Sequence, residues 1–175
     1  MVILPATKAL DTSRHDRDGF SCGDEILDQY LRRLAHQDVR RDVAKVWVLE
    51  DPVDSARISG FYTLSAGAIE RAELDPSETR RLPAAYPIPI ARIGRLARVS
   101  SKRGAGLGRV LLYDAFARIA EGPVGVAFVV ADAKHERAFR FYESHGFRPI
   151  SSAARAWPRP VYIATKTVKQ HIGRG

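Results

Sequence analysis

The stretch that most constrains the fold of this chain is a glycine-rich turn that joins a predicted strand to a predicted helix. The strand covers residues 92–99, and the helix covers 107–121, where apolar residues recur at helical spacing. Gly122-Pro123 ends the helix, and a buried strand is predicted at 124–131. Together these three elements predict a right-handed βαβ unit.

The rest of the chain predicts a mixed sheet. Two strands with no helix between them come first, and the βαβ unit and a further helix follow, an order typical of an α/β fold with a central mixed β-sheet and helices on both faces. A length of 175 residues predicts a single domain, 1–175. A helix is predicted at 22–41 and capped by Ser21, and its apolar stripe comprises Ile26, Leu27, Tyr30, Leu31, Leu34 and Ala35. The other predicted elements are strands at 45–51 and 56–70, a helical turn at 75–81, an irregular loop at 82–90, a helix at 135–146, and strands near 146–151 and 160–168.

Composition excludes several classes of protein. No apolar run approaches the roughly 20 residues of a membrane helix, and the first ten residues, interrupted by Pro5 and Lys8, do not form a secretory signal. The single cysteine cannot form an intrachain disulfide, and the five histidines lack metal-ligand spacing, so we expect no metal. These features predict a cytoplasmic protein. The net charge of +8 predicts a polyanionic partner, with solubility alone as the alternative.

The glycine turn has the context of a phosphate-binding loop, because a helix N-terminus presents unpaired N–H groups to an anion. A Walker loop is excluded, since Arg109 follows Gly108, and a dinucleotide fingerprint lacks its third glycine at the same position. The pattern that fits is Arg-x-x-Gly-x-Gly, formed by Arg103, Gly106 and Gly108. A tight turn without a ligand is the alternative.

A second motif, Phe-Tyr-x-x-x-Gly-Phe, follows about 35 residues later, at the end of the next predicted helix. Its residues are Phe141, Tyr142, Gly146 and Phe147. The aromatic residues are also compatible with a plain core position, and Gly146 with a helix C-terminus.

The two motifs together resemble those of the GNAT acetyltransferases, which hold acetyl-CoA. Nearly the whole chain, through "FSCGDEILDQYLRRLAHQD", "ISGFYTLSAGAIE", "RRLPAAYPIPIARIGRLA" and "ADAKHERAFRFYESHGF", is similar to the GNAT toxins of type II toxin–antitoxin modules, the TacT and AtaT group. The resemblance implies a GNAT fold with acetyl-CoA in the cleft after strand 92–99 and acetylation of the α-amino group of aminoacyl-tRNA, which stops translation. It also implies a ribbon-helix-helix antitoxin and a homodimer.

The same resemblance assigns roles to residues. Tyr142 is expected to be catalytic, the strand residues to pair with the pantetheine arm, and the loop to bind the pyrophosphate. Arg98 and His135 depart from the family pattern, which commonly has a small apolar residue and often an acidic one at these positions. The residues expected to bind acetyl-CoA are Leu96, Ala97, Arg98, Val99, Arg103, Gly104, Ala105, Gly106, Leu107, Gly108, Arg109, Ala133 and Phe141.

The chemistry favours an α-amine as the acceptor. Neutral Tyr142 can protonate the departing thiolate, and an α-amine with a pKa near 7.7–8.0 is partly neutral at pH 7.5, whereas a lysine needs a strong base. The motifs place no carboxylate or histidine beside Tyr142 that would supply such a base.

The charge distribution predicts contact with RNA. Seven basic residues and no acidic ones lie between Arg80 and Arg103, and the first predicted helix carries a second basic group. A solvated surface is the alternative, and Lys102 or Arg103 are also candidates for the phosphates of CoA. The residues expected to contact tRNA are Arg32, Arg33, Arg80, Arg81, Arg92 and Arg95.

Three other functions stay open at this point. The first is a GNAT enzyme that acetylates a protein or small-molecule amine, and the second is a non-catalytic module that binds CoA or nucleic acid. The third, a Rossmann oxidoreductase, is disfavoured by the missing third glycine. The preferred aminoacyl-tRNA depends on a pocket that the 82–90 loop is expected to build.

Overall fold

The computed structural model describes residues 7–150 and 156–173. Its strands form one mixed sheet in the order β1-β2-β3-β4-β5-β7-β6. The strands are β1 (Lys8–Ala9), β2 (Lys45–Glu50), β3 (Ile58–Ile69), β4 (Ile88–Arg98), β5 (Phe128–Ala133), β6 (Arg148–Pro149) and β7 (Arg159–Ala164). The helices are α1 (Glu25–Gln29), α2 (Ala35–Arg40), α3 (Pro76–Thr79), α4 (Leu107–Glu121), α5 (Glu136–Ser144) and α6 (Thr165–Gly173). A π-helical turn covers Tyr30–Leu34, and 3₁₀ turns cover Arg71–Glu73 and Ser100–Lys102.

The chain divides into two compact units. The first unit comprises the described residues of Met1–Ser65 and Gly94–Phe116. Within it β1 pairs with β2, and β2 with β3, in antiparallel register. Its core packs one side of α1 and α2 against strand residues, and Phe20 contacts Phe61 edge-on, with ring centroids 5.4 Å apart. The buried residues of this core are Phe20, Leu27, Tyr30, Leu31, Ala35, Val46, Val48, Ile58, Phe61 and Ala97.

The second unit comprises the described residues of Ala66–Ile93 and Ala117–Gly175. Its β4 and β5 segments are parallel, with Ile90 opposite Phe128 and Ile93 opposite Ala131, which confirms a mixed sheet. β7 pairs antiparallel with both β5 and β6. The buried residues of its core are Ile69, Leu74, Ile88, Ile90, Phe128, Val130, Ile150 and Tyr162.

The helix predicted at 22–41 is shorter and less regular than expected. It begins at Glu25, and its cap is Asp24 rather than Ser21, because the Asp24 carboxylate accepts the Ile26 and Leu27 N–H groups. The π-helical turn at Tyr30–Leu34 fits an extra residue into the turn, so the 3.6-residue period does not hold along the segment. Two residues of the predicted apolar stripe are therefore exposed, Ile26 by 74% and Leu34 by 48%.

The irregular loop predicted at 82–90 is confirmed at 82–87 and wrong at 88–90, which belong to β4. β4 begins at Ile88: Ile88 and Ile90 are buried and Pro89 between them is exposed, which is the alternation of a strand. Pro89 lacks an N–H but still contributes its carbonyl, which accepts the Ala127 N–H at 2.9 Å. The predicted strand 124–131 correspondingly begins later, at Phe128.

The strand predicted at 160–168 ends at Ala164, and the helix α6 follows at once. Thr165 and Val168 are β-branched, which is typical of strands, but they are buried three residues apart, which is helical spacing. The strand predicted near 146–151 is the short β6, and residue 151 lies outside the described residues.

Across residues 7–150 and 156–173, no helix combines the length and apolar character needed to span a membrane. The same residues contain no group of three or more histidine, cysteine or acidic side chains placed to bind a metal ion.

Candidate functional site

The glycine loop of the first unit leads directly into α4, a helix of 15 residues. Gly104 and Gly106 have φ angles of 85° and 76°, in the left-handed region that side-chain-bearing residues rarely adopt. A Cβ atom built at either glycine meets no atom within 4 Å. The glycines are therefore needed for the backbone conformation, and the space beside the loop is open. An exposed loop at a helix N-terminus fits the diphosphate of acetyl-CoA.

An ion pair anchors the turn that precedes this loop. The Lys102 ammonium group donates hydrogen bonds to the Asp51 carboxylate and to the Ser59 hydroxyl, the latter at 3.1 Å. The bond from Lys102, followed by the Val53 N–H, lowers the pKa of Asp51 to about 2. Lys102, a candidate for the phosphates of CoA, is thus engaged within the protein. Sequence patterns did not reveal Asp51, because it lies 51 residues from its partner.

The strand residues expected to bind acetyl-CoA are held by their own backbone contacts. Ala97 is buried, and the Val99 N–H donates to the Ser59 carbonyl at 2.9 Å. The Arg98 guanidinium donates to the Val99 carbonyl at 3.2 Å. Arg98 therefore folds along its own strand, which accounts for a long side chain at a position that is commonly small in the family.

The remaining predicted loop residues differ in exposure. Arg103, Gly104, Ala105 and Gly106 are exposed, whereas Leu107 and Gly108 are half-buried at the start of α4. The exposed Arg109 extends along the helix, with its guanidinium carbon 5.3 Å from the centre of the Tyr113 ring. The first unit thus assembles the predicted residues from Leu96 to Arg109 around one turn.

Tyr142 lies on α5 in the second unit and is only 6% exposed. Its ring contacts Phe147 and Phe141 edge-on, with centroids 5.1 and 5.3 Å away. Burial, and then the negative charge of Asp132, raise the pKa of Tyr142 well above its ordinary value. The phenol is therefore neutral across the physiological pH range. The core position considered as the alternative for Phe141 and Tyr142 holds for Tyr142, which is buried, whereas Phe141 is half-buried. Phe147 is buried as well.

Asp132 is a functional candidate that the sequence patterns missed. It lies on β5 next to the buried Ala133, and its carboxylate accepts a hydrogen bond from Arg92 at 2.9 Å. The motifs place no carboxylate beside Tyr142, and Asp132, which lies outside both motifs, is the one whose charge acts on it. The hydrogen bond from Arg92 occupies this carboxylate, so it is not free to take a proton from a lysine acceptor.

His135 has a structural role that explains its presence. As the N-cap of α5, its Nδ1 atom accepts the Ala138 N–H at 3.1 Å. A helix N-cap needs a hydrogen-bond acceptor, which the His135 ring supplies as a carboxylate can. α5 ends at Ser144, two residues before the predicted end, and Gly146, with a φ of 90°, has the conformation typical of the residue after a helix C-terminus.

The residues expected to contact tRNA fall into two groups. Arg33, Arg80 and Arg81 are exposed. The other three have partners within their own unit: Arg32 donates to the Phe20 carbonyl at 3.0 Å, Arg95 lies 3.6 Å over the Tyr30 ring, and Arg92 binds Asp132. Contact with tRNA stays a prediction for all six.

Arg71 organises the segment that carries Arg80 and Arg81. Its guanidinium donates to the carbonyls of Thr79, Leu82 and Pro83 at 2.5, 2.6 and 2.7 Å. Three backbone acceptors on one side chain fix the path of the chain after α3. The sequence contained no signal for this role, since the bonds are to the backbone and depend on tertiary structure.

Comparison with known proteins adds independent information. No protein-family model matches the chain. The probable toxin TacT of Sinorhizobium fredii is 30% identical over 173 residues, which covers 94% of this chain and 93% of that protein. A tRNA-acetylating toxin of Mycobacterium tuberculosis is 31% identical over 134 residues, covering 75% of this chain and 78% of that protein.

Solved structures of toxins are also similar to this chain. The toxin AtaT in complex with acetyl-methionyl-tRNAfMet has a TM-score of 0.84 at 26% identity, covering 95% of this chain and 98% of the AtaT chain. A mutant of AtaT bound to the C-terminus of the antitoxin AtaR and to acetyl-CoA has a TM-score of 0.78 at 25% identity, covering 95% and 96% of the two chains. The predicted fold class is confirmed by these matches.

Proposed function

Because this chain belongs to the GNAT-type toxins of toxin–antitoxin systems, we propose that it transfers the acetyl group of acetyl-CoA to the α-amino group of aminoacyl-tRNA. The buried, neutral phenol of Tyr142 within the Phe-Tyr-x-x-x-Gly-Phe motif is the observation that carries this assignment. The acetylated tRNA bound by AtaT and the tRNA-acetylating relative support the same reaction. Residues 1–175 form one acetyltransferase domain in this proposal.

Tyr142 serves as the acid of the reaction. When the α-amine attacks the carbonyl carbon of the thioester, a C–N bond forms and the C–S bond breaks. The Tyr142 hydroxyl gives its proton to the departing sulfur, and the proton released by the new amide nitrogen restores the phenol. Its raised pKa keeps this proton in place until the thiolate leaves.

The glycine loop serves to bind the diphosphate of acetyl-CoA. The amides at the start of α4 and the exposed Arg103 provide the donors and the charge for an anion. The backbone of Leu96–Val99 pairs with the pantetheine arm, and a strand N–H polarises the thioester carbonyl. Ala133 and Phe141 complete the set of residues assigned to the coenzyme.

The partners follow from the family. AtaT is found with tRNA and with the C-terminus of its antitoxin, and we expect aminoacyl-tRNA and a ribbon-helix-helix antitoxin for this chain. An acidic or amphipathic antitoxin tail would cover its basic residues. The reaction is placed in the cytoplasm, where charged tRNA is used. A homodimer stays a prediction, which sedimentation of the purified protein tests.

The decisive experiment offers the protein several acceptors at once. Labelled acetyl-CoA is incubated with charged total tRNA, uncharged tRNA, a protein extract, peptides and polyamines. We expect label on charged tRNA alone, and expect it to disappear when the aminoacyl ester is hydrolysed beforehand. Label on peptides, proteins or polyamines and none on charged tRNA would show that the acceptor assignment is wrong.

A further inference from the structure

A cluster of two aromatic rings and one guanidinium lies in the second unit and has no role in the reaction described above. The Arg159 guanidinium carbon is 4.5 Å from the centre of the Phe139 ring and 5.4 Å from that of Trp157. The two rings contact each other edge-on at 6.2 Å. Each distance lies within the range of an attractive cation–π or aromatic contact, so the three side chains hold one another in place.

The Trp157 indole presents part of its ring to solvent. Trp157 is 40% exposed, which is unusual for so large an aromatic side chain. The Arg159 guanidinium lies against the same ring, and its Nε atom is buried. A half-exposed indole that a guanidinium holds in place is suited to stacking on a flat aromatic base.

The position of the cluster relates it to Tyr142. Phe139 precedes Tyr142 on α5 by three residues, so the two side chains lie on the same side of the helix, about 4.5 Å apart along its axis. Arg159 pairs with Ala133 in the β5–β7 register, at the end of β5 that leads into α5. The exposed Arg137 adds a positive charge on the same helix.

Resting on the proposed function, we propose that the Trp157–Arg159 pair stacks on an adenine ring, namely the base of the 3′-terminal adenosine of the aminoacyl-tRNA. In that substrate the amino acid is esterified to the ribose of the terminal nucleoside, so the reacting amine and this base are only one nucleoside apart. Phe139, which contacts both members of the pair, lies within one helical turn of the acid, so a base stacked on the pair is the part of the tRNA nearest to the reaction. The adenine of acetyl-CoA has the same ring, and the experiment distinguishes the two sources.

The test compares Trp157→Ala with two reference variants in steady-state kinetics. Loss of one stacked base raises the KM for aminoacyl-tRNA by roughly 5- to 150-fold, with the KM for acetyl-CoA unchanged. Trp157→Phe retains a ring, so its KM for aminoacyl-tRNA stays within about 5-fold of the wild-type value. In Arg159→Gln this KM rises by roughly 2- to 5-fold. Arg140→Gln removes a charge from an exposed pair on the same helix and leaves both KM values unchanged.

A direct binding measurement keeps the proposal testable if the alanine variant unfolds. The chain has two tryptophans, so Trp47→Phe leaves Trp157 as the single tryptophan, whose fluorescence is followed. An aminoacylated acceptor-stem RNA quenches its fluorescence, and the same RNA with an abasic terminal nucleotide quenches it much less. Acetyl-CoA leaves the signal unchanged.

Two results overturn the proposal. One is equal quenching by the intact and abasic RNAs, together with a KM for aminoacyl-tRNA in Arg159→Gln that matches the wild type. The other is an increase in the KM for acetyl-CoA alone, which would assign the pair to the coenzyme. In either case the wild type still acetylates charged tRNA, whereas failure of the proposed function would remove that activity from the wild type itself.

Discussion

The glycine loop and the Tyr142 region differ in how the protein holds them. The loop is exposed, its conformation depends on two glycines with positive φ, and an ion pair anchors the turn before it. Tyr142 is buried, and packing against Phe141 and Phe147 fixes its ring. An exposed loop can bind through its backbone amides, which most side-chain changes leave intact. A buried phenol carries its function in a single oxygen atom. Changes in the loop should therefore act on KM, and changes at Tyr142 on kcat.

The largest effect is expected for Tyr142→Phe. Removing the hydroxyl removes the proton donor, so kcat for acetyl transfer falls by about 10²- to 10⁴-fold, while the affinity for acetyl-CoA is nearly unchanged. Stopped assays with saturating acetyl-CoA and isothermal titration measure the two quantities. Tyr162→Phe, which alters another buried tyrosine of the same unit, is the control and keeps wild-type turnover. A Tyr142→Phe enzyme with normal kcat would remove Tyr142 from the mechanism.

Changes at the exposed arginines should alter the affinity for tRNA but neither kcat nor the KM for acetyl-CoA. They therefore distinguish RNA binding from the functions of the glycine loop and of Tyr142. Replacing Arg33, Arg80 and Arg81 by alanine weakens tRNA binding by roughly 10- to 100-fold at physiological salt and lowers the slope of log affinity against log salt by about 2–3. Arg32 is left intact, because it supports the Phe20 carbonyl. Filter binding between low and high salt measures the slope.

The control for the arginine variant removes two exposed cations from α6, Lys166 and Lys169. Its salt slope should match that of the wild type if only the predicted residues contact the RNA. Equal slopes for all three proteins would mean that the arginines serve solubility.

Gly106→Ala tests whether the loop acts through its backbone. A residue with a Cβ at φ 76° is strained, so the loop departs from its shape and the KM for acetyl-CoA rises by roughly 5- to 30-fold. The value of kcat at saturating acetyl-CoA stays close to that of the wild type. Gly125→Ala is the matched control, since Gly125 also has open space beside it but no positive φ. A drop in kcat without a change in KM would contradict the division between the two regions.

The two motifs were predictable from sequence because their function depends on local geometry. A strand, a glycine turn and a helix N-terminus are adjacent in the chain, and Phe141, Tyr142 and Gly146 lie within one helix and its end. Both elements form as predicted, α4 at Leu107–Glu121 and α5 at Glu136–Ser144. The mixed sheet also followed from the order of the elements.

The residues that support these motifs were not predictable, because their partners are distant in sequence. Asp51 accepts a hydrogen bond from Lys102, 51 residues later in the chain. Asp132 accepts one from Arg92, which lies on the neighbouring strand and 40 residues earlier in the chain. Arg71 binds backbone carbonyls, which leave no trace in side-chain patterns. The errors at 22–41 and 160–168 have a related cause, since a π-helical turn and a short amphipathic helix change the period of the buried residues.

Asp51→Asn should give the smallest change in kinetics. It tests how much the Lys102–Asp51 ion pair contributes to acetyl-CoA binding beyond the glycines of the loop. Losing this half-buried ion pair lets the Ser100–Lys102 turn move, and the KM for acetyl-CoA rises by about 2- to 5-fold. Asp42→Asn breaks a more exposed pair with Lys45, away from this turn, and leaves the KM unchanged. An unchanged KM in Asp51→Asn would show that the glycines shape the loop without the ion pair.

The same variant has a defined pH dependence. The pKa of Asp51 is about 2 in the folded protein and near 3.9 when unfolded, so its stabilising contribution is complete above pH 4 and fades as the pH falls toward 2. An asparagine does not titrate, so the Tm of Asp51→Asn decreases less than that of the wild type when the pH is lowered from 4 to 2. Thermal unfolding followed by circular dichroism across this range measures the difference. Parallel Tm curves for the two proteins would mean that the Lys102–Asp51 pair does not form in solution, and the turn before the glycine loop would then need another anchor.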